Sequence, residues 1–107
     1  MIEYILEDEN INIFVGENAK DNWELLDNAN QNFIWLHLNN LSSPHVIINS
    51  VDPTKKTLRY AANLCKYHSK YSGVKKLKII YTTVKNVKKG IQIGSVTIKG
   101  KVKEILV

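Results

Sequence analysis

Three observations predict an α+β fold: one domain, a mostly antiparallel sheet, and two helices, one short and one long, basic and amphipathic. Short β-prone runs recur along most of the chain, two stretches with helical periodicity interrupt them, and 107 residues suffice for one core and not two. The whole span 1–107 is therefore read as a single domain, without internal repeats or a low-complexity linker.

The elements follow in order. Residues 2–6 and 11–15 (IEYIL and INIFV) are β-prone runs split by the polar turn Glu7-Asp8-Glu9-Asn10, the pattern of a hairpin. Gly16 ends the second run. Residues 18–28 read as the short helix, with Asn18 as N-cap and Trp23, Leu25 and Leu26 as its apolar contacts. Residues 33–38 (FIWLHL) and 45–49 (HVIIN) are strands on either side of Asn39-Asn40-Leu41-Ser42-Ser43-Pro44, which is turn chemistry. The long helix is expected over about 54–71, with Ser72-Gly73 ending it. At 100° per residue, Leu58, Ala61, Ala62, Cys65 and Ser69 share one arc, and Lys55, Lys56, Arg59, Asn63, Lys66 and Lys70 share the opposite one. Residues 77–83 form a strand that can continue into Val84. Runs 91–98 and 102–107 are expected to close the fold as a hairpin over Lys99-Gly100-Lys101.

With 44% hydrophobic and 23% charged residues, the composition is that of a globular protein. The single Cys65 excludes a disulfide framework and a cysteine-based zinc site. No apolar run approaches the roughly 18 residues of a membrane span, and MIEYILEDEN lacks the pattern of a signal peptide, so a cytoplasmic protein is expected. The net charge of +5 conceals a division. Residues 1–53 carry nine acids and one base, for −8, whereas residues 54–107 carry fourteen bases and one acid, for +13. Such asymmetry points to a polyanion, nucleic acid above all, as the partner of the basic half. Mutual attraction of the two halves is the plainer alternative.

Catalytic chemistry has little support. His37 and His45 flank one turn and can meet across a hairpin, but two histidines without a third ligand at regular spacing make a poor metal site, and no metal or cofactor is expected. Alternation puts Phe33, Trp35 and His37 on one strand face, where a packed histidine donating a hydrogen bond is the ordinary case; His45 after Pro44 fits a turn-locking bond. Ser42 and Ser43 lie near His45, yet there is no nucleophile elbow, and neither G-x-x-x-x-G-K-[ST] nor G-x-G-x-x-G occurs. An RNA-processing enzyme using His37 and His45 therefore stands third, behind two non-catalytic readings.

The basic residues carry more. Lys55, Lys56, Arg59, Lys66 and Lys70 lie along roughly 22 Å of helix, long enough to follow several phosphates. Lys75, Lys76 and Lys78 come next; Lys85, Lys88 and Lys89 form a second cluster, and Lys99, Lys101 and Lys103 a third. Tyr67, Tyr71 and Tyr81 are interleaved and can stack on unpaired bases. With one arginine among fifteen bases, any such binding is phosphate-dominated and indifferent to base sequence, and phosphate contacts alone do not separate RNA from DNA. A solvated lysine-rich face is the plainer reading.

Four blocks in order resemble a known family, the NFACT-R domain, the RNA-binding module of the NFACT ribosome quality-control proteins. They are Val15-Gly16-Glu17-Asn18 with Asn22 and Leu25; Trp35-Leu36-His37 followed by Ser43-Pro44-His45-Val46; Ala61-Ala62-Asn63-Leu64 through Tyr67-His68-Ser69-Lys70; and Tyr81-Thr82-Thr83-Val84-Lys85-Asn86-Val87-Lys88-Lys89, with Gly94 and Val96. Together they cover about residues 11–107. Three positions depart: Glu17 replaces a basic residue, Trp23 replaces an aspartate, and Ser43-Pro44-His45 replaces Gly-Ser-His, closer to small standalone relatives. Contacts of the N-terminal block therefore do not carry over directly, whereas Lys85, Lys88 and Lys89 stand. The resemblance implies a non-catalytic module for RNA, tRNA or rRNA, in translation or ribosome quality control, with the large ribosomal subunit as a partner. On this reading Lys55, Arg59, Lys66, Lys70, Lys85, Lys88 and Lys89 meet phosphates, Tyr67 and Tyr71 stack, and Trp35, His37, Ser43 and His45 are motif positions without an assigned role. The alternative to RNA binding is a protein-interaction adaptor whose acidic half docks on a ribosomal or quality-control partner.

Overall fold

The computed structural model describes all residues, Met1–Val107. Its strands are β1 (Ile2–Leu6), β2 (Ile11–Val15), β3 (Ile34–Leu38), β4 (Val46–Ile48), β5 (Lys78–Thr83), β6 (Val87–Lys89), β7 (Val96–Ile98) and β8 (Lys103–Leu106). The helices are α1 (Ala19–Asn28) and α2 (Lys55–Tyr67). Six strands make the main sheet in the order β1-β2-β4-β3-β5-β8, every neighbouring pair antiparallel, and β6 with β7 makes a second, two-stranded sheet. The fold is α+β, as expected.

Alternation along β3 divides the interior in two. Ile34, Leu36 and Leu38 point to one face of the sheet, where Ala61, Ala62, Leu64 and Cys65 of α2 meet them with Ile13, Val15, Val46, Ile48 and Ile79. Trp35 points to the other face, where Leu25 and Leu26 of α1 join Ile47, Ile80, Val84 and Val87. The main sheet is thus sandwiched between α2 on one side and α1 with the small sheet on the other.

Helix starts follow their caps. The Asn18 side chain accepts from the Asp21 N–H at 2.8 Å, and Thr54 Oγ1 accepts from the Thr57 N–H at 3.1 Å. The Thr57 hydroxyl donates in turn to Glu9, so this polar residue is buried on the helix face where an apolar one would sit. Asn10 closes the 3₁₀ turn Glu7–Glu9 in the left-handed region, at φ 54°.

The C-terminal third differs from expectation. Helix α2 ends at Tyr67 instead of Tyr71, because His68 leaves helical geometry and Ser69 turns both its N–H and its hydroxyl onto the Lys66 carbonyl. Residues 91–98 and 102–107 do not pair as a hairpin. Strand β7 is confined to Val96–Ile98 and pairs with β6, which has no counterpart in the sequence reading, while β8 pairs with β5 at the edge of the main sheet. The apolar residues decide this: Val96 and Ile98 pack on the α1 side, and Ile105 and Val107 on the α2 side. Gly100, at φ 82°, sits in the link between the two layers.

Candidate nucleic-acid interface

The motif residues converge. A cleft of about 650 Å³ opens between the start of α1, the turn after β3 and the segment after α2. Its lining takes Gly16, Asn18 and Asn22 from the first block, His37, Ser43 and His45 from the second, and His68, Ser69 and Lys70 from the third. Gly94, from the fourth, completes the wall.

A steric chain fixes this arrangement. The His45 N–H donates to Asn22 Oδ1 at 3.1 Å, and the Gly16 N–H donates to the His45 carbonyl at 3.0 Å. A Cβ on Gly16 would fall 2.1 Å from Asn22 Oδ1, so only glycine lets the helix asparagine reach the strand. Gly94, at φ 88°, lies so close to Ala19 that an added Cβ would come within 2.7 Å of the alanine Cβ. The Trp23 indole N–H donates to the Ser95 carbonyl at 2.9 Å and binds the loop after β6 to α1. Trp23 thus has a local structural duty. Asn22 was quoted in the first block without a role; its signal was a polar residue one helical turn before Leu25 and Leu26 on the buried face of α1.

The floor of the cleft is a cluster of rings. Trp35 stacks on His37 with centroids 5.5 Å apart and planes 11° from parallel, and His45 meets both edge-on at 5.3 Å. His37 and His45 do meet across β3 and β4. The His37 Nδ1–H donates to the Leu38 carbonyl at 2.6 Å, which leaves Nε2 as a lone-pair acceptor on the neutral ring. Burial lowers the His37 pKa; burial, reinforced by repulsion from His37, pushes His45 down to about 3. Both rings are neutral at physiological pH. His45 is 1% exposed, and its Nδ1 has no hydrogen-bond partner, so the ring does not lock the turn.

Ser43 locks it instead. Its Oγ accepts from the Leu38 N–H at 3.0 Å and donates to the Pro44 carbonyl at 3.0 Å. That hydroxyl is engaged with backbone and not with His45. Cys65, buried beneath, has its thiol pushed up to about 12 by desolvation. No group of three or more His, Cys, Asp or Glu side chains is placed to hold a metal ion.

The lysines do not form one surface. Lys55, Arg59 and Lys66 lie on α2, on one side of the main sheet, whereas Lys85, Lys88 and Lys89 lie on the other, around β6. The N-terminal part of the α2 stripe faces acids: Lys56 and Arg59 line one groove with Glu7, Asp8 and Glu9. Arg59 also donates to the Leu106 carbonyl at 3.3 Å. Lys89 is held by Asp27 at 2.8 Å, with its ammonium 5.2 Å from the Trp23 ring centroid. Lys66, Lys70, Lys85 and Lys88 have no ion pair, and Lys70 stands at the cleft rim. Tyr67 is 70% exposed and offers an open ring, while Tyr71 is half-buried against the α2-side core, with Lys70 beside it. Lys99 and Lys101 occupy the link between layers and Lys103 opens β8, so the three do not crowd a hairpin tip.

Comparison with known proteins adds three findings. Residues 1–103 match a family model described as NFACT protein RNA binding domain. The chain is 34% identical over 90 residues to the Rqc2 homolog RqcH of Bacillus subtilis (strain 168), a match that takes in 81% of this chain and 16% of that protein. It also superposes, with a TM-score of 0.90 and 29% identity, on the C-terminal structure of the fibronectin/fibrinogen-binding protein from Streptococcus suis, covering 98% of this chain and 43% of that one. The chain therefore spans only a small part of the curated relative.

Proposed function

The chain belongs to the NFACT protein RNA-binding domain family, and on that premise we propose that residues 1–107 form one RNA-binding module, for tRNA or rRNA, serving translation or ribosome quality control. It acts in the cytoplasm, at the large ribosomal subunit, by binding and without catalysis. The family match over residues 1–103 carries this reading. Two physical features support it: unpaired cations at Lys66, Lys70, Lys85 and Lys88, and the open ring of Tyr67 beside them in sequence. These lysines and Lys55 meet phosphates as point charges, Tyr67 stacks on an unpaired base, and Lys89 and Arg59 contribute less because they already have partners or face acids.

Filter binding with tRNA across a salt series tests this. Affinity is expected to fall steeply with salt, and Lys85→Ala with Lys88→Ala to lower the slope by about 0.7–0.9 per lysine. An affinity indifferent to salt overturns the reading. The same titration with duplex DNA measures the preference for RNA.

An adaptor role has its own observation. Glu7, Asp8 and Glu9, with Ile5 (64% exposed) and Tyr60 (38% exposed), line a groove shared with Lys56 and Arg59, a surface of mixed charge on which a protein segment can dock. Changing Lys85, Lys88 and Lys89 to Glu separates the two readings: RNA binding is lost under the first, and partner capture survives under the second.

A further inference from the structure

The cleft has walls of two kinds. Ile2 and Ile93 supply apolar surface, and Ile93 is 64% exposed on the loop between β6 and β7. That loop is fixed by the Gly90 N–H on the Ser95 carbonyl at 2.8 Å, the Ser95 N–H and hydroxyl on the Gln92 carbonyl, and the Trp23 bond. The polar lining offers acceptors: the Nε2 lone pair of His37, whose Nδ1–H is spent on the Leu38 carbonyl, and the Glu17 carboxylate, which also holds the Met1 ammonium. His45 is 1% exposed and its unpartnered Nδ1 is sealed from the cleft, so His37 is the ring that a bound group can reach.

The charge distribution narrows the occupant. Lys70 is the one cation on the lining, at its rim, and Glu17 sits on the same lining. A bare phosphate inside would meet neutral rings and a carboxylate already paired with the Met1 ammonium, with one cation at the rim to hold it. A flat group with apolar faces, N–H donors on its edge and an anion trailing on one side meets every wall correctly. The volume falls within the ~300–1,000 Å³ of small-ligand sites.

Resting on the RNA-binding reading, we propose that the cleft takes one unpaired nucleobase: an N–H edge donates to His37 Nε2, a face packs on Ile93, and the adjoining phosphate lies at Lys70. The base is thus held in a hole between two strands and a helix, separate from the phosphate contacts of Lys85 and Lys88 on β6 and the turn before it.

The test compares a short oligoadenylate with an RNA duplex of equal length on the full chain. His37→Phe keeps a flat ring against Trp35 and removes the acceptor. Oligoadenylate affinity is expected to drop about tenfold, the equivalent of about 1.4 kcal/mol, with duplex affinity unchanged. Ile93→Ala, at an exposed site where folding is not at risk, is expected to give a smaller loss with the same selectivity. Equal losses on both ligands, or no loss on the oligoadenylate with either variant, overturn the base site while RNA binding stands. A wild-type chain that binds neither polymer overturns the RNA-binding reading and the base site together.

Discussion

The two faces of the main sheet are built differently. On the α2 side, thirteen buried residues make an aliphatic core with Cys65 in it, and the one buried polar side chain of that helix, Thr57, is paired with Glu9. On the α1 side, seven buried residues are centred on Trp35, and the adjoining interior contains His45 and Asn22, both buried and polar. Removing water from polar groups costs free energy unless they are paired, so the second face is the poorer source of stability. The lesson is a division of labour: the α2 face holds the fold, and the α1 face spends part of that stability on a polar cleft.

Three experiments would break or sharpen this contrast. The largest effect is expected from Leu36→Ala, which removes a fully buried side chain from the α2 face. Chemical denaturation should show a loss of about 2–5 kcal/mol, with RNA affinity per folded molecule unchanged. A loss of binding in the residual folded fraction would mean that the faces are not separable. Next comes Gly16→Ala, which displaces Asn22 from the His45 amide. A destabilisation of about 1–3 kcal/mol should accompany weakened oligoadenylate binding, and unaltered binding would detach the brace from the cleft.

The third test is the pH dependence, which reports each face on its own limb. His45, pushed down to about 3, binds its proton more weakly folded than unfolded, so its contribution is complete above pH 6.5 and is lost as pH falls toward 3. His37 shifts in the same direction. Cys65, pushed up to about 12, holds its proton more tightly folded, so its contribution is complete below pH 9 and is lost as pH rises toward 12. Urea unfolding across pH should show slopes of up to about 1.4 kcal/mol per pH unit from each group. His45→Gln should flatten only the acid limb and Cys65→Ala only the alkaline one; the reverse pattern would assign the groups to the wrong faces.

Most of the fold can be read in the chain up to Thr83, because there each strand is bounded by turn residues and each helix by a cap: Glu7–Asn10, Asn18, Asn39–Pro44, Thr54. Beyond it the local signals fail. Val87-Lys88-Lys89 is too short to show alternation, and Lys99-Gly100-Lys101 looks like a hairpin turn although its flanks belong to different sheets. Only the destination of Val96, Ile98, Ile105 and Val107 in two separate cores distinguishes these outcomes, and that is a tertiary fact. The site was legible as motifs and not as geometry. Trp35, His37 and His45 were marked by their blocks, but the shared lining of His37 and His45 with Asn22, Lys70 and Ile93 joins residues far apart in the chain and has no local signature. Charge alone does not show that Lys89 is paired with Asp27, a contact between residues far apart in the chain.

Strands β3 and β4 occupy the middle of the six, each paired on both sides. Central strands open only when the whole domain does, while edges such as β1 and β8 fray first. The backbone that carries His37, and that leads directly from His45, is therefore among the last to open. An incoming base finds its hydrogen-bonding ring already immobilised, and the entropy of ordering falls almost wholly on the RNA strand.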